Sequence, residues 1–295
     1  GRILTGTALV ILYTIIESWL NAQTPTEQRG RVFAVYMVVN LGALALAQQF
    51  LQFGEIGGFG FFAVASILVS LSLLPVTWTR VSQPEVQDVQ RLKLKTLFRI
   101  APVALYGALL SGLAMGAFWG MSAVYAGRIG LDTGGVAMFM SCGILGGVML
   151  QYPLGRYSDH HDRRRVLAVA SGVAVVASGL LALLSSMGNW VLLAIAIYGG
   201  LAFAVYPLAV AHLVDHLEHK DILAGGSALL LVHGIGAAIG PAASGWLMTV
   251  TGPQALPAYF AASLGVLALI AVHYLHKERT ESPESPAPFV PMVRT

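Results

Sequence analysis

Residues 32–54, 56–79, 100–127, 133–155, 166–214 and 222–276 contain no Asp, Glu, Lys or Arg. A helix needs about 20 apolar residues to cross the hydrocarbon core of a bilayer. The first four of these stretches hold one crossing each. The last two, 49 and 55 residues long, hold two each. With the apolar opening that ends near Glu17, the pattern predicts nine crossing helices, at about 1–21, 30–53, 57–78, 98–126, 133–155, 164–187, 190–214, 222–250 and 254–275. The two long runs divide where breakers gather, at Ser185-Ser186-Met187-Gly188-Asn189 and at Thr251-Gly252-Pro253. The predicted fold class is all-α, a polytopic transmembrane helical bundle.

Composition sharpens this picture. Of 295 residues, 56% are hydrophobic and only 11% charged, less than half the roughly 25% charge of soluble domains. The mean hydropathy is +0.73. An ordinary soluble enzyme and a disordered regulator are both excluded. Cys142 is the single cysteine, so no intrachain disulfide and no cysteine-rich metal site can form. The 33 glycines suit helices that approach closely in lipid. A net charge of +3 is too small to suggest a nucleic-acid partner. The chain opens at Gly1 inside an apolar segment, which leads us to expect an amino-terminally truncated fragment.

Charge is distributed by side. Loops 22–31, 79–99, 156–165 and 215–221, with the tail from 276, hold 15 of the 17 Lys and Arg residues. Positive loops stay in the cytoplasm, so these are expected to be cytoplasmic in an inner (plasma) membrane. The long connection separates three spans from six. It divides the chain into 1–78, a partial bundle; 79–97, a linker; 98–276, a six-helix bundle; and 277–295, a polar, proline-rich tail expected to be disordered. A weak internal repeat at an offset of 194 aligns Gly6 with Gly200, Asn21 with Asp215, Glu27 with Asp221 and Gly42 with Gly236. Parallel repeats of this kind build one large class of secondary transporters. On that reading the chain holds spans four to twelve of twelve.

The strongest local motif is Pro153-Leu154-Gly155-Arg156-Tyr157-Ser158-Asp159-His160-His161-Asp162-Arg163-Arg164-Arg165. Gly155, Ser158, Asp159, Arg163, Arg164 and Arg165 resemble the loop signature of the major facilitator superfamily, with His160 and Asp162 as departures. Gly236, Gly240, Pro241 and Gly245 are similar to the superfamily's glycine-proline signature, and Arg2 with Gly6 to its fourth-span Arg-x-x-x-Gly. The counterpart near Gly42 has Ala47 in place of the proline. Tyr13 and the Glu17–Asn21 stretch look like a branch without an assigned substrate. The resemblance implies two six-helix bundles, the first incomplete here, rocking about a central cavity. It implies that Gly155 makes a tight turn and that the arginines latch onto acids such as Asp215 or Glu218, gating the cytoplasmic side. The plainer reading makes the arginines topology anchors.

Polar residues inside spans need a partner or water. Asn40, Gln48, Gln49, Gln52, Gln151, His212 and His233 are such residues, while 57–78 and 166–187 carry no embedded amide, imidazole or charge. In the twelve-span order the quiet helices are those the superfamily keeps outside its cavity. His233 and Glu17 are the candidate proton-coupling groups, histidine because it titrates near physiological pH. The alternatives are a neutral hydrogen-bonded His233 and a salt bridge from Glu17 to Arg29 or Arg31. Asn40, Gln48, Gln151, Trp119 and Tyr206 are candidate cavity-lining residues, although aromatics near span ends also serve as interface anchors. No phosphate loop, dinucleotide fingerprint or metal-spaced cluster is present, so neither an enzyme nor a cofactor or metal is expected. His212, His216 and His219 beside Asp215 leave only a weak metal reading open.

The function expected is therefore secondary active transport by alternating access in the lipid bilayer. Protons are the expected coupling ion, and small organic or amphipathic solutes the expected cargo, with efflux among the directions allowed. The competing readings are a non-transporting membrane sensor or assembly protein on the same fold, and a passive facilitator.

Overall fold

The computed structural model describes residues 29–54, 58–78, 93–218 and 221–281, with scattered positions before residue 29. The expected first span, Arg2, Gly6, Glu17, Asn21, Glu27, His219, linker residues 79–92 and the tail from 282 fall outside the described residues, apart from those scattered positions in the first span. Helices run α1 (Arg29–Gln49), α2 (Phe59–Trp78), α3 (Leu94–Ile100), α4 (Pro102–Arg128), α5 (Thr133–Asp159), α6 (Arg163–Leu183), α7 (Trp190–Val214), α8 (Ile222–Thr251) and α9 (Ala255–Glu281). No strand occurs among the described residues.

Seven of these helices are long and apolar enough to cross a membrane, matching seven of the nine expected spans. In α1 the apolar part is shorter, Val35–Gln49, and a 3-10 turn at Phe50–Phe53 continues it. The expected span at 98–126 begins later, because Ala101 (φ −142°, ψ 72°) breaks the helix and Pro102 then starts α4. Proline at the first helical position loses no intrahelical bond. Gly252, at φ 94°, ends α8 before Pro253.

Helices α4 to α9 pack as a six-helix bundle, with α4 most extensively on α8, α5 on α7 and α6 on α9. Lipid tails are as apolar as leucine, so burying apolar side chains gives such helices no hydrophobic drive; close backbone approach does the work. On the α4–α8 seam a Cβ at Gly236 would overlap the Leu109 carbonyl oxygen, and one at Gly240 that of Leu113. From the other side, Gly112 and Gly116 press on the carbonyls of His233 and Ala237. Pro241 and Gly245 continue the seam against Gly120 and Met121. On the α5–α7 seam, Gly146 meets Ala196 and Gly199 meets Gly143 in the same way. Tyr125 adds a polar tie by donating to the Leu181 carbonyl of α6 at 3.1 Å. Arg128, at the sparsely charged face, donates to the Met248 carbonyl in the last turn of α8 at 3.0 Å. Helix α2 has no buried residue, and its Ser66, Ser70, Ser72 and Thr77 hydroxyls donate to carbonyls of their own helix.

These seams separate two kinds of glycine. Gly236→Ala forces a methyl into the α4 backbone and is expected to lose about 1–3 kcal/mol, the range for overpacking. Gly234→Ala, on the same helix with nothing within 4 Å, should be neutral or up to about 1 kcal/mol stabilising, from helix propensity. Thermal unfolding of the two variants in one detergent checks this; equal midpoints would refute the seam.

Candidate functional site

Helix α1 runs from the basic face toward the opposite face, and α5 returns. Away from the basic face the two are joined. Gln49 Nε2 donates to Ser141 Oγ at 2.6 Å and to the Ala137 carbonyl at 3.3 Å. The buried Ser141 hydroxyl in turn donates to the Ala45 carbonyl at 2.9 Å. Gln52 donates to Gln49 Oε1 at 2.5 Å. Toward the basic face the helices diverge around a cavity of about 720 Å3, lined by Met37, Val38 and Leu41 of α1, by Val148, Gln151, Tyr152, Gly155, Arg156 and Asp159 of α5, and by His160 and Pro207. The 18 residue steps from Ser141 to Asp159 span about 27 Å of helix. Gln49 and Ser141 thus join one end of this helix pair, and the cavity lies toward the other.

The signature residues lie at the open end. Gly155 is not in a turn, contrary to expectation: α5 continues through it to Asp159, its φ is not positive, and a Cβ there would meet nothing within 4 Å. The turn comes later, at His160–Asp162, where the chain has left the α5 hydrogen-bond ladder. The buried Ser158 hydroxyl donates to the Gly155 carbonyl at 2.7 Å and accepts from Arg163 Nη1 at 3.0 Å. Arg163 also holds Asp159 at 3.1 Å, and its Nε and Nη2 reach Asp215 at 2.5 and 3.5 Å. One guanidinium thus ties the end of α5, the start of α6 and the end of α7. Every one of these bonds stays within the six-helix bundle; none crosses the cavity to α1.

Three consecutive arginines oppose the positive end of the α6 dipole. Asp162 relieves this as the helix cap, accepting from the Arg164 backbone N–H at 2.9 Å and from its guanidinium at 3.2 and 3.1 Å. Partial burial pushes the Asp162 carboxyl up, but the hydrogen bonds and charge of Arg164, with the charge of Arg165, outweigh it and hold it below the ordinary carboxylate range. Arg165 is exposed.

His233 sits elsewhere. Its Nδ1 lies 3.1 Å from Ser111 Oγ and 3.2 Å from the Ala108 carbonyl of α4, and the Tyr206 ring of α7 tilts over it at 4.4 Å. It is half-buried and does not line the α1–α5 cavity. Of the expected cavity-lining residues, Gln151 does line it. Asn40 lies on α1, accepting from Tyr13 at 3.4 Å, and Gln48 is half-buried there. Trp119 instead joins Phe118 and Phe203 in an edge-to-face cluster, at 5.2 and 5.8 Å. Among the described residues no group of three or more His, Cys, Asp or Glu side chains is placed to hold a metal. The sequence reading missed Ser141 and Ser111. Each is a serine in an apolar helix, and only its neighbour across the seam gives it meaning.

Membrane-length helices joined along glycine seams, with a cavity between two of them, define a polytopic helical membrane protein. The chain belongs to the Major Facilitator Superfamily, whose model matches residues 1–225 and again residues 150–292. It is 28% identical over 249 residues to the uncharacterized MFS-type transporter YcaD of Shigella flexneri serotype 5b (strain 8401), a match covering 84% of this chain and 64% of the relative. The corresponding protein of Escherichia coli O7:K1 (strain IAI39 / ExPEC) gives the same figures. That of Escherichia coli O9:H4 (strain HS) is 26% identical over the same length. The chain therefore spans just under two thirds of the length of the relatives it matches.

The Asp162 cap has a pH signature. Asp162→Ala should lower stability by about 1 kcal/mol, the usual loss for a cap. Because folding depresses this pKa, the contribution is full above the unfolded value of about 3.9 and fades as pH falls through the lower folded value. Melting curves of the wild type and the variant should differ at neutral pH and converge in acid. A gap that persists or widens in acid would refute the assignment.

Proposed function

We propose that the protein is a secondary active transporter that works by alternating access, couples to protons, and moves a small organic or amphipathic solute. The observation that carries this reading is the α1–α5 pair, latched by Gln49 and Ser141 at one end and open around a largely apolar cavity at the other. A carrier needs those two ends to exchange states. Residues 98–276 would move as one bundle against the bundle to which 1–78 belong, with 79–97 as linker. The basic face would be cytoplasmic and the membrane the inner (plasma) membrane. Arg163, held by Ser158, Asp159 and Asp215, keeps the bundle's rim rigid while it moves. Asp159 and Gly155, which face the cavity, are the groups that α1 meets on closure, with Gly155 leaving room for it. Gln151 supplies a polar contact for solute inside the cavity. His233, supported by Ser111 and Tyr206, is the proton-carrying candidate, and reaches the transport cycle through the α4–α7–α8 packing rather than by touching the α1–α5 cavity.

The test is proton movement in sealed vesicles loaded with a pH-sensitive dye, run across a panel of small organic solutes. At least one solute should dissipate or drive a proton gradient. Flux that ignores an imposed gradient would indicate a passive facilitator, and no flux at all a non-transporting protein. His233→Gln should flatten the pH dependence of transport while leaving substrate binding within a few-fold. An unchanged pH profile removes His233 as the proton carrier.

A further inference from the structure

A cleft of about 260 Å3 opens on the basic face where several helices end, apart from the α1–α5 cavity. Its charged and titratable lining is Arg99 at the end of α3, Arg164 at the start of α6, His212 and His216 at the end of α7, and Tyr274 and Lys277 in α9; among the described residues no carboxylate lines it. Asp162 offsets part of the Arg164 charge through the bonds described above, and Asp215 is engaged with Arg163. Arg99, Arg164 and Lys277 bring two guanidinium groups and one ammonium group, all hydrogen-bond donors, to the lining of one cleft.

Its apolar surroundings say what kind of anion fits. Helix α3 is anchored by Leu97, fully buried with Leu213 and Leu229. Beside the cleft, Leu94, Phe98 and Ile100 stay exposed, at 42%, 42% and 37%, while Lys93, Lys95 and Arg99 supply charge on the same short stretch. Phe98 rests edge-on against Tyr106 at 5.5 Å. Apolar side chains facing outward among basic ones are how an interfacial segment lies at the level of the lipid head groups. Basic pockets between span ends on that side bind anionic head groups. A free phosphate would use the same donors but would leave the exposed apolar side chains of α3 without a role.

We infer that this cleft binds the phosphate of an anionic phospholipid head group, with the acyl chains lying along Phe98 and Ile100. Native mass spectrometry of the purified protein, with phosphatidylglycerol, cardiolipin or phosphatidylcholine added, tests it. The wild type should retain the two anionic lipids in preference to phosphatidylcholine, and Arg99→Gln with Lys277→Gln should cut that retention several-fold. Lys95→Gln removes a charge from α3 outside the cleft and should reduce retention far less. Inorganic phosphate in excess should not displace the lipid. If the double variant fails to fold, Arg99→Gln alone, on an exposed side chain, reads the same loss. Retention that survives loss of the cleft cations, falls equally with Lys95→Gln, or extends equally to phosphatidylcholine would overturn the site. Displacement by inorganic phosphate would overturn the lipid assignment.

Discussion

Backbone-to-backbone approach along the α4–α8 and α5–α7 seams is the constraint on which the remaining architecture rests. In hydrocarbon, backbone polar groups are satisfied inside each helix, and what remains to hold helices together is contact distance and a few interhelical hydrogen bonds. Gly236 and Gly240 against Leu109 and Leu113, and Gly146 and Gly199 against Ala196 and Gly143, leave no room for a side chain. Seams this close fix the rotation of each helix about its axis. That rotation decides that His233 meets Ser111 and Tyr206, and that Ser158 and Asp159 come within reach of one guanidinium.

The two ends of α5 then behave differently. At its start, where Asp132 caps the helix by accepting from the Gly135 N–H at 2.8 Å, α5 is bound to α1 through a few side-chain hydrogen bonds. Bonds of this kind between membrane helices contribute modestly, about 0.6–2 kcal/mol each. At its end, α5 is bound to α6 and α7 by ion pairs focused on Arg163, whose side chain is only 17% exposed. Its partners Asp159 and Asp215 are 61% and 47% exposed, and half-exposed pairs contribute only about 0–1 kcal/mol each. The bundle's own cohesion rests on the glycine seams, with these pairs and the Gln49–Ser141 contact as lighter additions.

Positive charge on the basic face serves more than one purpose. Arg163 is structural, Arg164 is shared between the Asp162 cap and the neighbouring cleft, and Arg99 with Lys277 faces that cleft from other helices. Their side chains are sorted by what lies next to each helix end.

The sequence by itself determined where the helices run, which face is basic and which family the chain resembles. Those properties follow from local hydropathy, from lysine and arginine counts, and from short motifs read along one strand of chain. It misplaced Gly155 in a turn, since a glycine near a motif's acidic residue looks the same whether the helix stops before it or after. Partnerships belonged to the tertiary structure. Gln49 with Ser141, Arg163 with Asp215 and His233 with Ser111 join residues 92, 52 and 122 positions apart. A polar side chain in an apolar helix announces that it must have a partner, and only the rotation and depth of the facing helix decide which one.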